Sequence, residues 1–157
     1  MMSINRIERK KFLPLDEFIK TCDIILVHLA YIKGSNDNFI NEDFLKNMKK
    51  NAILVNVARG EVMDTKAALA EVESGHLAGL AMDVIDHEKT LFFQNFKDPQ
   101  HMDNEVHQKI IDLYPRVLIT PHVGSSTDKA LIDMIEVSLK NMDEYLVLGK
   151  CKNSLIR

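Results

Sequence analysis

The chain has 157 residues, 46% hydrophobic and 27% charged, with 20 basic and 23 acidic side chains and a formal charge of −3. That length supplies one domain with a real core, and the composition is that of a soluble globular chain. No basic stripe marks a nucleic-acid surface, the run Arg6-Ile-Glu-Arg-Lys-Lys11 being too brief, and no apolar run approaches the roughly 18 residues that cross a bilayer.

Cys22 and Cys151 are too few and too isolated for a disulfide framework or a thiolate metal site. His87, His101 and His107 match no metal-ligand spacing. The first residues lack the apolar core of a secretory signal. The expectation is a cytoplasmic protein that binds no nucleic acid, membrane or metal.

In chain order, Lys11-Phe-Leu-Pro14 reads as a short edge strand and Leu15 to Cys22 as a short helix. Asp23-Ile-Ile-Leu-Val-His-Leu29 is an apolar, branched run, the pattern of a buried strand. Asn41 to Lys50 reads as a helix, with Asn41 as cap, acids in the first turn, lysines in the last, and Phe44, Leu45 and Met48 on one face. Ala52 to Val57 is a second strand, and Asp64 caps a helix that carries Ala67, Ala68 and Val72 and stops at Gly75.

Ala78 to Val84 is a third strand and Val117 to Thr120 a fourth, closed by Pro121. The stretch from Lys89 to Tyr114 between them reads as irregular. A long helix is expected from Thr127 to Leu148, with Leu131, Ile135, Leu139, Met142 and Leu146 along one side and Gly149 ending it.

Strand-helix alternation with short connections predicts an α/β fold, a parallel sheet with covering helices. Such sheets bind ligands beyond the carboxyl ends of their strands. His28 to Ala30, Arg59, Asp86 to Glu88 and His122 all fall there. Arg59 offers a planar fork matched to a carboxylate. His122 sits at a rigid Thr-Pro strand exit, and an imidazole is the side chain suited to proton transfer near neutral pH. Glu88 is of the type that holds an imidazole in one tautomer.

The trio suits a small 2-hydroxy or 2-oxo acid, with a hydride carried by a cofactor because no side chain carries one. Each residue alone is more often a structural group than a catalytic one; order, spacing and placement together carry the chemistry. A non-catalytic association module, or a different enzyme on the same scaffold, is the alternative.

The stretch "NAILVNVARGEVMDTKAALAEVESGHLAGLAMDVIDHE" resembles the signature of the D-isomer-specific 2-hydroxyacid dehydrogenases, and "LFFQNFKDP" and "YPRVLITPH" resemble their D-lactate dehydrogenase branch. The resemblance covers about residues 11 to 150. It implies the C-terminal portion of a Rossmann-type sheet, with residues 1–126 a partial NAD(P)-binding domain and 127–157 a C-terminal helix and tail returning toward the substrate domain. It further implies Arg59 as substrate-binding arginine, His122 as acid/base and Glu88 as the acidic partner of that histidine. By the same resemblance Asp83, Val57, Ala58, Leu29, Ala30 and Asn36 lie against an NAD cofactor.

The chain departs from that pattern in having six glycines and no Gly-x-Gly turn, the feature that lets a backbone approach a pyrophosphate. Leu-Ala-Tyr also follows His28 where the family usually has Val-Pro. The expectation is a truncated or split chain that binds NAD weakly alone. Its first strand would be an exposed edge, hidden by self-association or by a separately encoded N-terminal half.

Overall fold

The computed structural model describes residues 12–92, 94–95 and 104–154. Two compact units result, Met1–Pro121 and His122–Arg157.

In the first unit, helix α1 (Leu15–Thr21) precedes strand β1 (Ile24–Val27), followed by α2 (Glu42–Asn47), β2 (Ile53–Asn56), α3 (Thr65–Glu73), β3 (Gly79–Met82), α4 (Glu105–Asp112) and β4 (Val117–Ile119). The caps are those that the side chains dictate. Asn41 accepts from Phe44 N–H at the start of α2, and Asp64 accepts from Ala67 N–H at the start of α3, each satisfying an otherwise orphaned helix donor. Gly75 follows α3 at φ +78, a region that glycine occupies without a Cβ penalty.

The four strands are parallel and lie in the order β1-β2-β3-β4. Register aligns Ile25, Leu54, Leu80 and Val117 in one row and Val27, Asn56, Met82 and Ile119 in the next. These rows form the face that enters the core with Ile19, Leu45, Leu69 and Ile110 from the helices. Crossovers stepping one way along a parallel sheet are right-handed, which places their helices on a single face. The opposite rows are left open: Ile24, Leu26, Ile53 and Leu118 are all exposed. β1 is an outer strand, as the family resemblance implies.

Two expectations need correction. Phe12 to Pro14 form no strand, and Phe12 is fully in solvent; residue 11 lies outside the described residues. The stretch read as irregular contains α4, capped by Asn104, whose side-chain oxygen accepts from Val106 and His107 N–H. The inserted segment around residues 96–103 lies outside the described residues.

The second unit is dominated by α5 (Asp128–Leu148), capped by the Thr127 hydroxyl at Ala130 N–H and ended by Gly149 at φ +66. Thr127 and Gly149 are the boundaries that the sequence predicts. No residue of α5 is buried, and Leu131, Ile135, Leu139, Met142 and Leu146 all face solvent.

Candidate functional site

β1 and β2 each end in a loop that turns over the carboxyl edge of the sheet. Between the two loops lies an open hollow of about 490 Å³, lined by His28, Leu29, Ala30 and Tyr31 from the first and by Val57, Ala58 and Arg59 from the second. Five residues nominated by the sequence, Leu29, Ala30, Val57, Ala58 and Arg59, thus share one cavity.

The first loop is braced from within. Asn36 donates its side-chain amide to the Ala30 carbonyl and accepts from Ile32 N–H, both at 2.8 Å. Its side chain therefore shapes the loop and is not among the groups lining the hollow. The Tyr31 hydroxyl donates to Asp37 at 2.6 Å, and Gly34 N–H donates to the other carboxylate oxygen at 2.6 Å. That hydrogen bond, helped by desolvation and by the negative charges of Asp37, Glu61 and Asp86, pushes the Tyr31 phenol up to about 12. The same bond holds the Asp37 carboxyl below its ordinary value. The loop is then stitched to the second one, with Asn38 N–H donating to the Glu61 carbonyl and Ile40 N–H to that of Val62.

In the second loop Arg59 has extended backbone and precedes a 3-10 turn, Gly60–Val62. Its Nη1 donates to the Ala58 carbonyl at 2.7 Å. Among the described residues no carboxylate pairs with it. The guanidinium therefore keeps donors for an incoming anion.

Gly60 packs against the loop that follows β3: a Cβ at this position would lie 2.1 Å from Asp86 N and 2.1 Å from the Ile85 carbonyl carbon. That loop carries Asp83 and Glu88. Asp83 N–H donates to the Asn56 carbonyl at 3.0 Å, and its carboxylate accepts from the Thr120 hydroxyl at the exit of β4. Glu88 is half-buried at the start of a 3-10 turn, Glu88–Thr90.

His122 opens the second unit and is exposed there, with φ +53. A left-handed backbone at a residue other than glycine is uncommon and is found preferentially at functional positions.

Three contributors escape a reading based on charge and strand ends. Asn56 is a fully buried polar residue that hydrogen-bonds to both Ala58 and Arg59. Gly60 sets the approach of two loops, and Tyr31 supplies an aromatic wall. The first two stand in the sequence as the ends of Asn56-Val-Ala-Arg-Gly60, which looks like the Asn-x-Ala-Arg-Gly motif of the family it resembles. Among the described residues no group of histidine, cysteine and carboxylate side chains could hold a metal. No described helix is long and apolar enough to cross a membrane.

The family described as "D-isomer specific 2-hydroxyacid dehydrogenase, NAD binding domain" matches residues 3–124. An aromatic 2-oxoacid reductase of Clostridium sporogenes is 33% identical over 146 residues, covering 93% of this chain and 43% of the reductase. A crystal structure of D-lactate dehydrogenase with NAD+ from Lactobacillus jensenii superposes with a TM-score of 0.80 at 32% identity, over 92% of this chain and 42% of that one. A D-lactate dehydrogenase from Sporolactobacillus gives 0.82 at 32% identity, over 90% and 42%. The chain thus spans about two-fifths of the length of the relatives it matches. It belongs to the D-isomer specific 2-hydroxyacid dehydrogenase family, within the NAD-binding domain of that family.

Proposed function

We propose that this chain carries the nicotinamide side of an enzyme that interconverts a D-2-hydroxy acid, lactate-like, and its 2-oxo acid, working in the cytoplasm with NAD. The observation that carries the reading is the hollow at the ends of β1 and β2, which puts the Arg59 guanidinium beside Leu29, Ala30, Val57 and Ala58.

Arg59 would grip the substrate carboxylate through its fork and polarise the neighbouring carbonyl. His122 would exchange the hydroxyl proton, and Glu88 would fix its tautomer. The bound nicotinamide supplies or accepts the hydride. The hollow fits that end of the cofactor, with apolar Leu29, Val57 and Ala58 for a flat ring and Asp83 on the next loop. The pyrophosphate end has no Gly-x-Gly turn in this sequence, so anchoring there falls to polypeptide beyond it.

The missing contacts and the bare sheet face call for the same completion, an N-terminal half that covers Ile24, Leu26 and Ile53 and pairs with β1. An association module is the second reading, favoured by the amount of exposed apolar surface on the sheet and on α5. It gives no reason for an arginine in a hollow that pairs with no carboxylate among the described residues.

The test is to co-express the chain with the segment of a full-length relative that it does not match, and to follow NADH oxidation with aliphatic and aromatic 2-oxo acids. Turnover by the pair and by neither part alone, nearly abolished by Arg59→Lys, is the expected result. A stable, folded pair with no activity on any 2-oxo acid would leave the association reading standing.

A further inference from the structure

The end of β2 holds a polar side chain where the pattern of the strand calls for an apolar one. Asn56 shares its row with Val27 and Met82, faces the core and is fully buried. A buried amide costs stability unless its groups are hydrogen-bonded, and a branched aliphatic residue would fill the same space more favourably. What Asn56 provides is therefore found in its bonds.

Its oxygen accepts from Ala58 N–H and its nitrogen donates to the Arg59 carbonyl, both at 3.1 Å. These two groups belong to the peptide planes 57–58 and 59–60. The plane between them carries the Ala58 carbonyl, which accepts from Arg59 Nη1 at 2.7 Å. Fixing the two outer planes leaves the middle one little freedom. The route runs from the Asn56 amide to the flanking peptides, to the Ala58 carbonyl and on to the guanidinium.

We infer that Asn56 is a positioning residue, whose carboxamide sets the direction in which Arg59 presents its remaining N–H groups to the hollow. Its catalytic consequence rests on the proposed dehydrogenase reading; the geometric claim does not. In that enzyme Asn56 touches neither substrate nor cofactor and acts through Arg59 alone. The carboxylate grip is then the step it governs.

Arg116 provides an internal standard, because its Nη1 is also held by a backbone carbonyl, that of Val72, remote from Asn56 in sequence. The experiment is phenylglyoxal modification of the chain as it stands, with the rates at Arg59 and Arg116 read by mass spectrometry. Asn56→Leu removes both hydrogen bonds at similar volume, and Asn56→Asp keeps the acceptor and loses the donor. In either variant that retains native circular dichroism, the Arg59 to Arg116 rate ratio should change by several-fold; an unchanged ratio overturns the inference.

Amide exchange on the unmodified chain serves where both variants unfold. Ala58 N–H should exchange as slowly as the amides of β2, and fast exchange overturns the proposal. In the co-expressed pair the same substitutions should raise KM for the 2-oxo acid by about tenfold, the worth of one net hydrogen bond, and leave KM for NADH unchanged. A rate ratio that responds in a pair without activity would retain the positioning role and reject the dehydrogenase reading.

Discussion

Gly60 and Ile85 meet backbone to backbone, so closely that a methyl group on Gly60 would lie 2.1 Å from the Ile85 carbonyl carbon. This contact fixes how the loop of Arg59 approaches the loop of Glu88. Gly60→Ala forces one of the two to move, and neither is the flexible end of a side chain. Loss of about 3 kcal/mol or more is expected, the upper range for overpacking. Urea denaturation reads it, and an unchanged midpoint would mean that the two loops do not touch in solution.

His107 is buried on α4, and burial holds its imidazole below the ordinary value of 6.5. The folded chain then resists the proton that the unfolded chain accepts. Stability is fully present above pH 6.5 and falls as the pH drops through 6.5 toward the lower folded-state value. Replacing the residue by His107→Gln should flatten this part of the profile. Denaturation midpoints at two pH values, one on each side of 6.5, supply the check.

Tyr31 and Asp37 set each other's titration. In Tyr31→Phe the Asp37 carboxyl loses its first source of stabilisation and should titrate closer to its ordinary 3.8. In the unaltered chain the Tyr31 phenol should ionise at about 12. Carbon-13 NMR of the carboxyl and ultraviolet titration of the phenol measure the two. An Asp37 titration indifferent to the hydroxyl would show that Tyr31 does not hold this carboxylate in solution.

Leu26 points out of the bare face of β1 and is 57% exposed. An outer strand of this kind invites pairing with another chain. The unmodified chain should associate with rising concentration in sedimentation, and Leu26→Lys should shift it toward the monomer with the secondary structure retained. Association that ignores the new charge would place the contact elsewhere.

The elements legible in the sequence were those whose local chemistry and burial agree. Asn41 and Asp64 each pair a capping side chain with a helical apolar pattern, β1, β2 and β4 are apolar runs rich in branched residues, and β3 is a short apolar run of small residues. α4 was missed because Glu105, Gln108, Lys109 and Asp112 make most of it polar, with His107 and Ile110 its buried residues. Asn56 was legible only as the first residue of the Asn-x-Ala-Arg-Gly motif and not in its role, because hydrophobic patterning does not register an amide placed in a core to serve a turn.

In α5 the sequence correctly signalled a helix, but an apolar stripe indicates that a surface is to be buried and not by what. Of the residues that line the hollow, Arg59 was singled out by its place after a strand, Val57 and Ala58 by the family resemblance, and Tyr31 by neither. The brace that Asn36 provides was not legible, since it depends on the path of the loop.

The one-sided cladding of the sheet has a thermodynamic consequence. Whatever seals the rows of Ile24 and Leu26 removes apolar surface from water in a single event, and that carries a negative heat-capacity change. Completing the fold and completing the site would then be one calorimetric transition. A partner that restored turnover without that signature would have to reach the hollow while leaving half of the sheet wet.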